Sequence, residues 1–143
     1  MANEKVLLVD DEEDFVEALS MRLESRGMQV EVANTGPEAI EKASRQHFDA
    51  IVLDLAMPGM DGIETLARLK ESHADVQVLL LTGRATLQKG VEAMKLGAMD
   101  FLEKPVELDV LLEKIRHAKT EADKASAKKT KALIDDILKS KGW

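Results

Sequence analysis

The chain contains no cysteine, which excludes disulfides, zinc–thiolate sites, iron–sulfur clusters and thiol catalysis. Aromatic residues make up 3% of it, with three Phe, one Trp and no Tyr, too few for base- or sugar-stacking platforms. No run approaches the ~20 apolar residues of a membrane span. Residues 1–5 lead straight into a strand-like stretch only four residues long, far short of the apolar segment of a signal peptide. The expectation is a cytoplasmic protein with no membrane partner. Positive charge is also short: 20 basic side chains face 27 acidic ones, a net charge of -7. That argues against non-specific nucleic-acid or anionic-membrane binding by the whole chain. What remains is 143 residues, 45% hydrophobic and 33% charged, a globular composition able to bury a core without staples.

Four short apolar runs stand out: Val6-Leu7-Leu8-Val9, Ala50-Ile51-Val52-Leu53, Val78-Leu79-Leu80-Leu81 and the weaker Phe101-Leu102. Unbroken runs of this length suit strands buried on both faces. Val30-Glu31-Val32 alternates instead, as an edge strand does. Helical spacing fills the gaps. Phe15, Ala18, Leu19 and Leu23 precede Gly27, and Gly36-Pro37 opens a segment with Ala39, Ile40 and Ala43. Ile63, Leu66, Ala67 and Lys70 follow Gly62; Leu87, Val91 and Met94 precede Gly97; Leu108, Leu111, Leu112 and Ile115 follow Pro105. The order βαβαβαβαβα predicts a five-stranded parallel sheet, doubly wound, with helices on both faces.

In such a sheet, ligands bind beyond the carboxyl ends of the strands. The first run ends in Asp10-Asp11, the Ala50 run in Asp54, the Val78 run in Thr82-Gly83, and the last in Lys104-Pro105. Adjacent parallel strands bring these to one rim. Three carboxylates so close need a counter-charge, because like charges raise each other's pKa. A divalent cation supplies it, and oxygen-only donors favour Mg²⁺ over zinc. Mg²⁺ with few protein ligands implies a phosphoryl ligand, which an aspartate can accept as an acyl phosphate. Lys104 then balances phosphoryl charge, and Thr82 donates a hydrogen bond to it.

The segments Leu7-Leu8-Val9-Asp10-Asp11-Glu12, Asp54-Leu55-Ala56-Met57-Pro58-Gly59-Met60-Asp61-Gly62, Leu81-Thr82-Gly83 and Gly97-Ala98-Met99-Asp100-Phe101-Leu102-Glu103-Lys104-Pro105, in that order and spacing, resemble the receiver domain of bacterial two-component response regulators. The resemblance spans residues 4–118. It implies strand order 2-1-3-4-5 and a phosphorylation switch rather than an enzyme with an external substrate. Asp54 is then the phosphoacceptor. Asp10 and Asp11 hold Mg²⁺ directly or through water, and Asp54 with the backbone carbonyl of Ala56 completes the metal site. Thr82 senses the phosphoryl group, Lys104 binds it, Phe101 is the switch aromatic, and the bond before Pro105 is cis. The implied partner is a sensor histidine kinase or a histidine phosphotransfer protein. The implied output face is the helix of residues 87–96, the Phe101 strand and the last helix, also a homodimer surface. Ala56 and Arg84 stand where family side chains influence acyl-phosphate lifetime, and a small Ala56 predicts slow self-dephosphorylation. A phosphohydrolase of the haloacid-dehalogenase type is the rival reading, but it needs a second Asp where Ala56 stands.

Residues 119–143 form a basic helical tail or linker beyond a receiver domain of residues 1–118. Residues 117–143 hold seven Lys against four acidic residues, or +3, leaving -10 on residues 1–116. Leu111, Ile115, Ala118, Ala122 and Ala125 extend the last helix at coiled-coil spacing, Lys129 breaks the seam, and Leu133, Ile134, Ile137 and Leu138 make a second amphipathic stretch. A dimer seam or docking helix and a plain surface helix both fit. A single-domain regulator and a receiver cut from a transcription regulator fit equally.

Overall fold

The computed structural model describes residues 3–55, 62–83 and 87–140, with the side chains of residues 87–89 excepted. Strands and helices alternate: β1 (Lys5–Val9), α1 (Glu13–Ser25), β2 (Gln29–Ala33), α2 (Gly36–Arg45), β3 (Ala50–Asp54), α3 (Gly62–Ser72), β4 (Val78–Thr82), α4 (Leu87–Lys95), β5 (Asp100–Glu103) and α5 (Leu108–Ser140). The five strands form one parallel sheet in the order β2-β1-β3-β4-β5, as expected. Three of the four apolar runs are the central strands β1, β3 and β4; the weaker Phe101-Leu102 run is the edge strand β5, covered less completely than expected. Every residue of β3 and β4 is buried, while β2 and β5 at the edges are mostly half-buried.

Side chains alternate across the pleat and build two cores. Leu7, Val9, Ile51, Leu53, Val78 and Leu80 face α2, α3 and α4 through Ala39, Leu66, Leu69 and Ala93. Val6, Leu8, Ala50, Val52, Leu79 and Leu81 face α1 and α5 through Val16, Leu19, Leu23, Leu111, Leu112 and Ile115. Each layer is thick enough to exclude water from both faces of the sheet, which is why the central strands tolerate no polar residue before their carboxyl ends.

Three helices bury a face that only partly matches their apolar spacing: Leu19, Leu23 and Leu66 are buried and Phe15 and Ile63 pack on the cores as expected, but other positions are offset. In α1 the buried residues are Val16, Leu19 and Leu23, with Ala18 exposed. In α3 they include Thr65, Leu66 and Leu69, with Ala67 exposed. In α4 Ala93 is fully buried, while Val91 and Met94 are 51% and 37% exposed. The small side chain of Ala93 lets the helix backbone approach the sheet, and the larger residues are carried to the flank.

Helix α2 begins at a complete N-cap. The Thr35 hydroxyl accepts from the Glu38 N–H, and the Glu38 carboxylate accepts from the Asn34 N–H. Helix α5 is 33 residues long, about 50 Å at 1.5 Å per residue. Its packing against the domain extends through Ala118 and Ala122, supported by Lys119 reaching the buried Asp49. Residues 126–140 are exposed on every side. No described helix is long and apolar enough to cross a membrane.

Candidate functional site

The polar residues at the strand ends are placed by the sheet ladder itself. Asp10, one residue past β1, donates its N–H to the Ala33 carbonyl at 3.1 Å. Leu55 N–H reaches the Leu81 carbonyl at 3.1 Å, and Lys104 N–H reaches the Thr82 carbonyl at 2.8 Å. Pairing therefore continues past the last strand residues and fixes the backbone at each functional position. Val9 lies opposite Leu53, and Asp54 opposite Leu81, so Asp10, Asp54, Thr82 and Lys104 share one rim.

Gly62 closes this rim from the α3 side. Its N–H bonds the Leu55 carbonyl at 3.1 Å. A Cβ added there would lie 2.4 Å from the Leu55 Cα and 2.6 Å from the Asp54 carbonyl oxygen. Only glycine lets the start of α3 approach the end of β3 this closely.

Asp10 and Asp54 are buried, in a position where an isolated carboxylate is costly. Lys104 compensates them. Its ammonium lies 3.0 Å from Asp10 Oδ2, 3.4 Å from Glu12 Oε1 and 3.5 Å from Asp54 Oδ2. Burial alone depresses the lysine pKa, but the Asp10 hydrogen bond and the charges of Asp10, Asp54 and Glu12 outweigh it and hold the pKa above its ordinary value. The ammonium stays protonated throughout the neutral range. Asp10 also accepts from the Glu12 N–H at 3.0 Å, which locks the turn leading into α1.

Oxygen atoms from Asp10, Glu12 and Asp54 lie within 4.8 Å of one another. An all-carboxylate donor set of this span fits a hard divalent cation such as Mg²⁺. Asp11 is exposed and stands outside this group. Glu12 joins it although the strand-end logic stops at Asp11; the unbroken acidic run Asp10-Asp11-Glu12-Glu13-Asp14 after β1 was the available signal. Thr82 is buried, and its hydroxyl donates to the Leu102 carbonyl at 3.5 Å, toward β5. Gly90 of α4 faces it, with space for a Cβ 3.7 Å from the Thr82 methyl. Phe101 is half-buried and packs against the core under α2, α3 and α4. The Lys104–Pro105 peptide bond is cis. Ala56 and Arg84 lie outside the described residues.

Comparison with known proteins places these features in a family. The family model for the response regulator receiver domain matches residues 6–116. The chain is 40% identical over 112 residues to response regulator MprA of Mycobacterium leprae, covering 78% of this chain and 49% of that protein. It is 36% identical over 132 residues to transcriptional regulatory protein FixJ of Bradyrhizobium diazoefficiens, covering 92% of this chain and 63% of that one. The crystal structure of a CheY-like receiver domain protein from Methanospirillum hungatei superposes with a TM-score of 0.80 at 30% identity, covering 87% of this chain and 99% of that one. The chain thus spans between about half and two-thirds of the length of these curated relatives. On the family match, the strand order and the acidic rim together, the chain belongs to the response regulator receiver domains of two-component signalling.

Proposed function

We propose that this chain is a phosphorylation-activated switch in which Asp54 accepts a phosphoryl group from a histidine kinase or a histidine phosphotransfer protein. The observation that carries the reading is the convergence of a buried Asp54 with Asp10, Glu12 and Lys104 at one rim. A carboxylate oxygen of Asp54 attacks phosphorus, the phosphorus–nitrogen bond to the donor imidazole breaks, and the electron pair leaves with that nitrogen. Asp10, Glu12, Asp54, Asp11 through water, and the Ala56 carbonyl are the groups available to Mg²⁺. The ion, when bound, neutralises charge on the transferring phosphoryl oxygens. Lys104 supplies the second positive charge from the β5 side.

Thr82 and Phe101 carry the change outward. The Thr82 hydroxyl exchanges the Leu102 carbonyl for a phosphoryl oxygen, and α4, which meets Thr82 through Gly90, follows. Phe101 then turns inward. The face formed by α4, β5 and α5 shifts its population toward an active form that binds a target or a second copy of the chain. The chain acts on itself, with slow self-dephosphorylation and no external substrate. Residues 1–118 form the receiver and residues 119–143 a basic tail or linker to an output, such as the transcription-regulator relatives possess.

Acetyl phosphate with Mg²⁺ tests this. Intact mass rises by one phosphoryl group in the wild type and stays unchanged in Asp54→Asn. Equal modification of both proteins contradicts Asp54 as acceptor.

A further inference from the structure

Lys104 has a neighbour that the phosphoryl chemistry leaves unused. Its ammonium lies 4.5 Å from the centroid of the Phe15 ring, within the ~6 Å reach of a cation–π contact. Phe15 stands in the first turn of α1, immediately after the acidic segment that begins at Asp10. The turn is locked by the Asp10 bond to the Glu12 N–H. One short segment thus carries both the carboxylates and the ring. Phe15 is half-buried and packs on the core under α1 and α5, which fixes its ring while leaving a face toward Lys104.

Lys104 and a divalent cation draw on the same three carboxylates, those of Asp10, Glu12 and Asp54. When a metal takes them, charge repulsion drives the ammonium off. A lysine on a flexible four-carbon stem, strongly hydrated at its tip, then drifts toward solvent unless something holds it. An aromatic face attracts an ammonium but offers a hydrated divalent cation no carboxylate oxygen. It retains one cation without competing for the other.

Resting on the phosphoryl reading above, we propose that Phe15 is a positioning residue whose ring keeps the Lys104 ammonium at the pocket while a divalent cation occupies the carboxylates, ready for the phosphoryl group on Asp54. The mechanism uses no titration and no movement of α1. It needs only the ring face and the reach of the lysine stem.

The test is proton–carbon NMR of the lysine ε-methylene groups, with the Lys104 signal assigned by its loss in Lys104→Met. In the wild type the ring current shifts this signal upfield, and the shift persists at saturating Mg²⁺. Phe15→Leu removes it, while Phe15→Tyr retains it. Phosphoryl uptake from acetyl phosphate, followed by intact mass, slows about two- to fivefold in Phe15→Leu, as expected for loss of an exposed cation–π contact. Phe15→Tyr restores the rate. Circular dichroism of both variants controls for folding. A Lys104 signal that moves to the ordinary lysine position on Mg²⁺ addition overturns the inference. So does a Phe15→Tyr rate as slow as that of Phe15→Leu, or no slowing in either. A wild type that takes up no phosphoryl group instead overturns the reading of Asp54 as acceptor, and the Mg²⁺-dependent NMR shift then decides the placement of Lys104 alone.

Discussion

Asp10 holds the site together twice over. One oxygen fixes the turn into α1 through the Glu12 N–H, and the other takes the closest contact of Lys104. Asp10→Asn keeps the shape but removes one of the clustered negative charges. It is expected to weaken Mg²⁺ binding at least about tenfold, a loss of roughly 1.4 kcal/mol, measured by titration calorimetry. Unchanged affinity would place the metal elsewhere. Gly62 is the second sensitive residue, for steric reasons. Gly62→Ala drives a methyl group into the Leu55 Cα and the Asp54 carbonyl. A destabilisation of about 1–3 kcal/mol, the usual cost of overpacking, is expected by urea denaturation.

At the scale of elements, β5 is tied to α5 by the ion pair of Asp100 with Lys114. Burial of Asp100 favours its neutral form, but the Lys114 hydrogen bond and charge and the Phe101 N–H prevail and hold its pKa below the ordinary carboxylate value. A depressed folded pKa stabilises the fold above the unfolded pKa of about 3.9 and loses that contribution as pH falls through the lower folded value. Lys114→Met therefore flattens the pH dependence of the unfolding midpoint below about pH 4, where acid denaturation is followed by circular dichroism. An unaltered slope would remove this pair from the account. The strands were legible in the sequence because a strand buried on both faces must be apolar throughout, and the residue after it marks the rim. The helix faces were less so. Ala18 and Ala67 fit the apolar spacing yet face solvent, whereas Val16 and Leu69 are buried. Spacing alone does not say where the sheet lies. The same ambiguity hid the ring of Phe15, which reads as an ordinary core position but faces Lys104.

For the whole molecule, the proposed chemistry sits at the carboxyl ends of the strands. The distal half of α5 buries no side chain after Ala122; an exposed ion pair of Lys129 with Asp75 is its further tie to the domain, and Leu133, Ile134, Ile137 and Leu138 are exposed. Packing predicts that removing residues 129–143 shifts the thermal midpoint by less than about 2 °C, since surface residues contribute little. Removing residues 118–143 takes away Ala118, Ala122 and the Lys119–Asp49 contact and lowers the midpoint by several degrees. Equal effects of the two truncations would show that the tail stabilises the domain beyond the contacts seen. The acidic rim was legible as carboxylates at strand ends. The participation of Glu12 was not, because its exposed side chain reaches the rim only through the geometry of the first turn of α1. The central claim, that the rim exists to make an acyl phosphate on Asp54, is tested most directly by borohydride reduction after acetyl phosphate treatment. Hydride converts an aspartyl phosphate to homoserine, and peptide sequencing by mass spectrometry locates it. Homoserine at position 54 is the predicted result; homoserine at another aspartate, or none in a protein whose mass has risen, would contradict it.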